Sequence, residues 1–547
     1  MFWKIADDKK ERVRQQIRQM SLDEKIGQLV CERNTDYMEK SNRHEWLKQY
    51  PIGSMFVGAE IIQSDEQSNK KVKECIDSLK HSKVPVVFCG DFEHGIGCQI
   101  SGFTKLPDLM ALGATHNPKL AYEYGRIIAE EGRALDLRWA FGPVADLNTN
   151  LMNPVTNVRS MGDQPEHVAG MLKELVRGMQ DHGMAACPKH FPGDGTDTRN
   201  QHIVTSLNLL SKKDWDQLHG RVFKELIDAG AASIMIGHLG FPAYEPLDEQ
   251  KEKFCPATAS KRIMTDLLRG ELGFQGIILT DALCMNGFTS WGSYEDRLLA
   301  SFNGGTDVFL WPETERFFEL MKAALHDGRA SMERLEESVE RVMCFKAWLD
   351  LTPEKHQLTE AALQANNAIS EKVGEQSLTL LRNRANHLPL KPSDGAEILM
   401  LVLPGTEQAM KPLQCFKEEF EKRGFQVTLS GFPFWSDFSQ LEGLKKFEWV
   451  FLICNCRPLY VQWPTYNNYG FWSFMQHKDI KNKILFSLGT PYFLYEITEA
   501  DTYINSYSDS ENSQKSLVKA LFGEIPFAGR SPVALKNCFN FGEGRNS

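Results

Sequence analysis

The sequence predicts an α/β protein: a TIM-type (β/α)8 barrel followed by a smaller α/β sandwich domain. Three observations carry this reading. Short apolar runs alternate with longer amphipathic stretches from Ile52 to Trp311, the rhythm of a parallel sheet with crossover helices. Seven such runs fit a closed barrel better than an open sheet. Five of them finish on a polar residue (Asp91, Asp146, His190, His238 and Asp281), and in a barrel the C-terminal strand ends form the active face.

The elements follow in order. Ser21-Leu22-Asp23-Glu24 is a capping box, and Ile26, Leu29 and Val30 continue it at helical spacing. The runs read as strands are Ile52–Gly58, Val84–Asp91, Arg138–Asp146, Ala185–His190, Ser233–His238, Gly276–Asp281 and Thr306–Trp311. Helical patterns such as Lys119–Gly132 and Pro165–His182 lie between them. A helix around Met332–Leu349 closes the barrel, and Thr352-Pro353 opens a polar stretch read as a linker. The expected layout is a barrel over 1–352, a linker over 353–370 and an α/β sandwich domain over 371–547. In the last, strands are expected at Ser377–Leu381, Glu397–Leu403, Trp449–Cys454, Lys483–Leu488 and Thr502–Ser506. Tyr460–Phe474 stands apart as an aromatic-rich loop, either a flap near the site or a packed surface loop.

Composition narrows the function. Of 547 residues, 42% are hydrophobic and 24% charged, as in globular proteins, which excludes a disordered chain, a collagen and a coiled-coil rod. The net charge of −10 argues against a nucleic-acid partner and against an anionic membrane surface. The apolar runs are too short to span a bilayer. The first ten residues turn charged at once, so no signal peptide and a cytoplasmic location are expected. The twelve cysteines are scattered, with no zinc spacing, and read as reduced core thiols.

Four stretches carry chemistry. In Lys189-His190-Phe191-Pro192-Gly193-Asp194-Gly195-Thr196-Asp197-Thr198-Arg199-Asn200-Gln201-His202, a strand closes on two titratable residues and breaks into a loop rich in others. Composition alone favours a solvated polar loop. Gly273–Met285 delivers Asp281 at the end of a buried strand, a position that also suits a helix cap. Cys89–Gly95 delivers Asp91 in the same way. Asn153–Asp163 sets Arg159 among small residues, where a guanidinium suits a hydroxyl or an anion.

Taken together, these residues resemble glycoside hydrolase family 3, and within it the β-N-acetylglucosaminidases of the NagZ type. The KHFPG run at 189–193 is the most specific element. SLDEKIGQL (21–29), GPVADLN (142–148), NPVTNVRSMG (153–162) and GFQGIILTDALCM (273–285) follow in the family's order. Glu375–Leu381 and Leu521–Glu524 are similar to the entry and exit of the family's second domain. The resemblance implies exo-cleavage of a β-linked N-acetylglucosaminide with retention. By position it implies Asp281 as nucleophile, His202 as acid/base, and Asp91, Arg159, Lys189 and His190 as grips on sugar hydroxyls. It implies no metal and no organic cofactor, a carbohydrate partner, and a monomer or homodimer.

Two departures stand out. The NagZ branch pairs its acid/base histidine with an aspartate two residues earlier, and here that position holds Asn200. An amide oxygen can orient the ring but supplies no negative charge. An impaired site, a carboxylate from Asp194 or Asp197, and a different acid are the three readings. Where the family often reads DQEGGR, this chain has Asp91-Phe92-Glu93-His94-Gly95-Ile96-Gly97, without the arginine. A β-glucosidase or β-xylosidase of the same family and a catalytically weak sugar-binding homologue are the alternatives. Water and phosphate both remain open as acceptor.

Overall fold

The computed structural model describes residues 5–58, 66–80, 82–249, 252–351, 358–432, 443–457, 474, 479–480 and 482–545. Ser21 and Glu24 cap each other reciprocally, and the helix they start runs over Leu22–Gly27. It ends where the backbone meets a neighbour: a Cβ on Gly27 would stand 2.0 Å from the Pro51 carbonyl. The chain then enters a strand, β1 (Val30–Arg33), where the spacing predicted continued helix. Its charged end hides the strand in the sequence, and pairing to both sides overrides the helical spacing.

The remaining strands of the barrel fall inside the predicted runs or within a residue of them, while a short pair outside the ring, Ser206–Leu207 with Leu239–Gly240, has no counterpart among them. The barrel strands are β2 (Ser54–Phe56), β3 (Val87–Gly90), β4 (Leu137–Ala140), β5 (Ala185–Ala186), β6 (Ser233–Ile236), β7 (Ile277–Thr280) and β8 (Phe309–Leu310). A parallel ladder runs β8–β1–β2–β3–β4–β5, and β6 pairs with β7. Two parallel bridges close the ring, Phe191 to Ile236 and Leu279 to Val308. This is an eight-stranded α/β barrel. The β5 ladder is shorter than predicted because Pro188 has no N–H, and the chain past it is held by Cys187 N–H to Gly142 O and Lys189 N–H to Pro143 O.

The chain divides into two compact units. One comprises Met1–Thr104, Ala121–Asn150 and Leu172–Leu363; the other Lys105–Leu120, Leu151–Met171 and Gln364–Ser547. The stretch read as a linker is a helix in its described second half, Glu360–Ser377, with Thr359 Oγ1 accepting from Ala362 N–H at its start. Ala, Leu, Gln and Glu make that segment a good helix former despite its polarity.

The second unit holds a six-stranded sheet: β9 (Thr379–Asn383), β10 (Glu397–Leu403), β11 (Gln426–Gly431), β12 (Trp449–Cys454), β13 (Lys483–Ser487) and β14 (Thr502–Asn505). Its order is β9–β14–β13–β12–β10–β11, parallel except for the β9–β14 pair. Ile398, Met400 and Val402 of β10 face one core, and Leu399, Leu401 and Leu403 the other, so both faces are covered. β11 was not foreseen. It is an edge strand whose alternate residues face solvent, so it lacks the continuous apolar signal of its neighbours. The aromatic loop over 460–473 lies outside the described residues. All twelve cysteines are free thiols.

The N-terminal end of the barrel carries a buried ionic hub. Asp307, just before β8, is fully buried. It accepts from Arg269 (2.6 Å), Arg341 (3.1 Å), Ser338 (2.8 Å) and the Ile278 N–H (3.0 Å). Burial alone would raise its carboxyl, but Arg269, Arg341 and Arg334 outweigh it and hold the group below the usual range. With the folded-state pKa below the unfolded one, the carboxylate stabilises the barrel fully above the ordinary aspartate range. That contribution is lost as pH falls through the depressed value. Asp307→Ala should cost about 3–5 kcal/mol near pH 7, because it leaves buried guanidinium groups uncompensated. The acid limb of melting temperature against pH should also flatten. Urea denaturation at neutral pH and melting curves down the acid range check this; a variant as stable as the parent would contradict it.

Candidate active site

The side chains at the C-terminal strand ends follow from strand alternation. Cys31 and Cys89 meet inside the barrel, their sulfurs 3.4 Å apart. Two residues beyond each on the same strands stand Arg33 and Asp91. By the same step Cys187 leads to Lys189 and Leu279 to Asp281. Alternate strands β1, β3, β5 and β7 therefore contribute one layer of alternating charge: Arg33, Asp91, Lys189, Asp281. Arg33 was missed by sequence reasoning because β1 was read as helix. It donates to Asp36 (2.8 Å) and stacks on Trp311, which follows β8.

Lys189 is buried between two carboxylates, Asp91 Oδ1 and Glu93 Oε1, each at 2.7 Å. A buried ammonium needs such compensation. Glu93 was quoted in the sequence without a role; its place beside Lys189 gives it one in the structure.

His190 is held by Asp146, a fully buried residue beyond β4. Asp146 Oδ1 accepts from the His190 N–H (3.1 Å) and the Asp194 N–H (2.7 Å), and Oδ2 accepts from His190 Nδ1 (2.7 Å). The ring's other nitrogen, Nε2, is 3.8 Å from Asp281 Oδ2. Past His190 the loop packs closely. Gly193 has φ +117°, and a Cβ there would lie 2.4 Å from the His219 ring, so only glycine fits.

Asp281 sits directly after β7, its N–H bonded to Ile236 O and its Oδ1 accepting from the Ala282 N–H at 2.7 Å. Burial would raise its carboxyl, but the neighbouring histidines, His190 foremost, together with the Ala282 N–H, outweigh burial and hold it below the usual carboxylate range. His238, two residues past β6, is itself pushed down by complete burial. Its Nε2 lies 2.9 Å from the Ala282 carbonyl, which only accepts, so Nε2 carries the hydrogen. Nδ1 then accepts from Thr258 Oγ1 at 2.9 Å. A neutral His238 thus braces the backbone beside Asp281.

His202 stands half-buried on the loop after the KHFPG run. Asn200, buried, turns its Oδ1 to both the His202 N–H (2.9 Å) and Nδ1 (2.7 Å). An amide oxygen can only accept, so Nδ1 carries a hydrogen and the lone pair of the neutral ring is on Nε2. The loop is tied to the segment that follows Asp281: Asn286 N–H to His202 O, Gly287 N–H to Gln201 O, and Thr205 Oγ1 to Gly287 O. Gln201 Oε1 accepts from the His238 N–H at 2.8 Å. Of the two carboxylates considered as substitutes for an aspartate at 200, Asp197 accepts from Arg199 and from the Leu207 N–H, and Asp194 from the Gly195 N–H.

The barrel therefore gathers Asp91, Lys189, His190, Asn200, His202 and Asp281 at the C-terminal ends of its strands. Arg159 lies in the second compact unit, on the turn Asn157–Arg159, with Nη1 donating to Val155 O. Asp146 and His238 had a weak signal in the sequence, since both end predicted strands.

Residues 21–345 match the glycosyl hydrolase family 3 N-terminal domain. A beta-N-acetylglucosaminidase/beta-glucosidase of Cellulomonas fimi is 28% identical over 558 residues, spanning 97% of this chain and 96% of its own length. Among solved structures, the beta-glucoside phosphorylase BglX bound to 2FGlc superposes with a TM-score of 0.84 at 27% identity, covering 97% of both chains. A family 3 beta-N-acetylglucosaminidase from Paenibacillus sp. str. FPU-7 does so at 0.82 and 26% identity, covering 94% of this chain and 99% of its own. With the barrel and the polar ring at its mouth, the match over more than half its length means that the chain belongs to glycosyl hydrolase family 3.

Proposed function

We propose that this glycoside hydrolase is a retaining exo-β-N-acetylglucosaminidase with Asp281 as nucleophile and His202 as acid/base. The observation that carries the reading is the tie between the two. The His202 loop is hydrogen-bonded to Asn286 and Gly287, just downstream of Asp281, and His202 Nδ1 is fixed on Asn200. That leaves Nε2 as the atom that exchanges a proton.

In the first step an Asp281 oxygen attacks the anomeric carbon, the glycosidic C–O bond breaks, and the leaving oxygen takes the proton from His202 Nε2. In the second, the now neutral His202 accepts a proton from the acceptor as it attacks the same carbon and releases Asp281. Asp91, Lys189 and His190 hold the sugar hydroxyls. The relatives' names support the substrate class, although the Cellulomonas fimi protein's name includes β-glucosidase as well. A second reading concerns the acceptor. Two similar solved structures, at 27% and 26% identity, are named as a beta-glucoside phosphorylase, which favours testing phosphate beside water.

Asp281→Ala should lower kcat by more than about 10⁴-fold, and a 2-fluoro glycosyl donor should label a peptide containing Asp281. Mass spectrometry decides; a label on another residue overturns the assignment. On nitrophenyl glycosides, kcat/KM for the N-acetylglucosaminide should exceed that for the glucoside, and the reverse order makes the enzyme a β-glucosidase. Adding phosphate and looking for the glycosyl 1-phosphate separates the two acceptors.

Asn200→Asp should raise kcat by about 10- to 100-fold, most on poor leaving groups, because a carboxylate would stabilise the imidazolium that an amide only orients. Steady-state kinetics on aryl and alkyl glycosides check this. Turnover unchanged or lower in a folded variant would send the search for the acid elsewhere.

A further inference from the structure

The segment that follows His202 exposes apolar side chains, whereas the part before it exposes Thr198 and Arg199. Among the described residues, seven large apolar side chains are exposed, and four of them are Ile203 (61%), Val204 (37%), Leu209 (70%) and Leu247 (44%). The first three follow His202 within seven positions. The fourth belongs to an adjacent loop: Ser206–Leu207 pairs with Leu239–Gly240, and Gly240 bridges Pro256, so the 241–256 excursion starts and ends beside the His202 loop. A single exposed apolar side chain is ordinary, but four from two bonded loops form a concentration that calls for a cause.

The polar side chains of the same stretch are used inward. Gln201 accepts from the His238 N–H, Thr205 donates to Gly287 O, Ser206 is buried, and Asn208 Nδ2 donates to Gly193 O. What residues 203–209 offer outward is therefore mostly methyl groups. The floor of the site is the opposite, lined by Asp91, Lys189, His190 and Asp281.

The chemistry sets which part of a substrate meets the methyl groups. On the reading of His202 as acid/base, the atom it protonates is the glycosidic oxygen, so whatever that oxygen carries leaves past the chain neighbours of His202. A sugar there would need hydrogen-bond donors and acceptors to replace its water. We infer that the leaving-group side is an apolar subsite, built by Ile203, Val204 and Leu209 with Leu247 at its edge, for an aryl or alkyl aglycone. This rests on the function proposed above.

The test compares methyl and octyl N-acetyl-β-glucosaminides, with the two β-glucosides in parallel and octyl donors kept below their micellar concentration. Both alcohols make the same demand on the acid, so the ratio of kcat/KM reads the subsite. Octyl should be preferred by about tenfold or more, the scale of apolar pocket discrimination. In the double variant Ile203→Ser, Leu209→Ser that ratio should fall to within about twofold of unity. Calorimetry with the non-cleavable S-linked octyl and methyl glycosides reads the same preference without turnover. A preference in binding that persists while His202→Ala leaves turnover untouched overturns the His202 assignment and leaves the subsite standing. No preference in either assay, or a double variant that weakens both donors equally, overturns the subsite. So does a parent that self-associates in sedimentation and a double variant that stays monomeric with the ratio unchanged, since the patch would then be covered by a second copy.

Discussion

The arrangement at the barrel mouth depends on one buried carboxylate. Asp146 accepts three N–H groups, two from the backbone of a chain that has just left β5 and one from the His190 ring. A fully buried carboxylate persists only when its lone pairs are filled. Filling them fixes the turn from Lys189 to Asp194, the plane of the His190 imidazole and the tautomer that points Nε2 at Asp281. It also sets the direction in which the loop to His202 departs. Asp146 touches no part of a substrate in this reading, yet it decides where two of the proposed sugar contacts stand.

The two ends of the barrel handle buried charge differently. At the N-terminal end Asp307 is surrounded by arginines, and the outcome is stability. At the C-terminal end the charges alternate around a ring, Arg33, Asp91, Lys189 and Asp281, and the last is flanked by imidazoles rather than guanidinium groups. An imidazole can lose its charge near neutrality, where a guanidinium cannot. For the nucleophilic role proposed for Asp281, arginine neighbours would over-stabilise the anion and make it slow to give its electrons to carbon. Imidazole neighbours keep Asp281 ionised without tying both oxygens in short ion pairs; the nearest His190 nitrogen is 3.8 Å away.

Much of the barrel was legible in the sequence because its strands are buried on both faces, and continuous apolar runs ending on Asp or His stand out against amphipathic helices. The same reasoning placed Asp91, Lys189, His190 and Asp281 at strand ends, where the structure has them. Four things were hidden for identifiable reasons. β1 carries Glu32 and Arg33, so local pattern could not distinguish it from the helix before it, and Arg33 was lost with it. β11 is an edge strand with two of its six residues exposed and none buried. The place of Asp146 depends on a contact across 44 residues of chain, to His190, and no periodicity encodes that partner. The position of 105–120 and 151–171 with the second unit was likewise unreadable, since those segments bury side chains such as Met110 and Val158 against a sheet formed far later in the chain.

Asn200 shows that a partner residue beside a histidine does two separable things. It fixes geometry through hydrogen bonds, and it stabilises charge through its own. The first survives here in full, since one amide oxygen accepts from both the His202 N–H and Nδ1 at distances a carboxylate would also adopt. Only the second is absent. The loss is not uniform in its consequences for the two proposed acceptors. Water must give up a proton to His202, and the imidazolium so formed lacks a counter-charge. Phosphate arrives with negative charge of its own, so it needs little help from a base, and an anion at position 200 would repel it where an amide does not. On the proposed assignment, an amide at position 200 gives up stabilisation of the imidazolium and in the same step lowers the electrostatic barrier to an anionic acceptor. If His202 is the acid/base proposed above, the identity of residue 200 bears on which acceptor is used as much as on how fast the bond is cleaved.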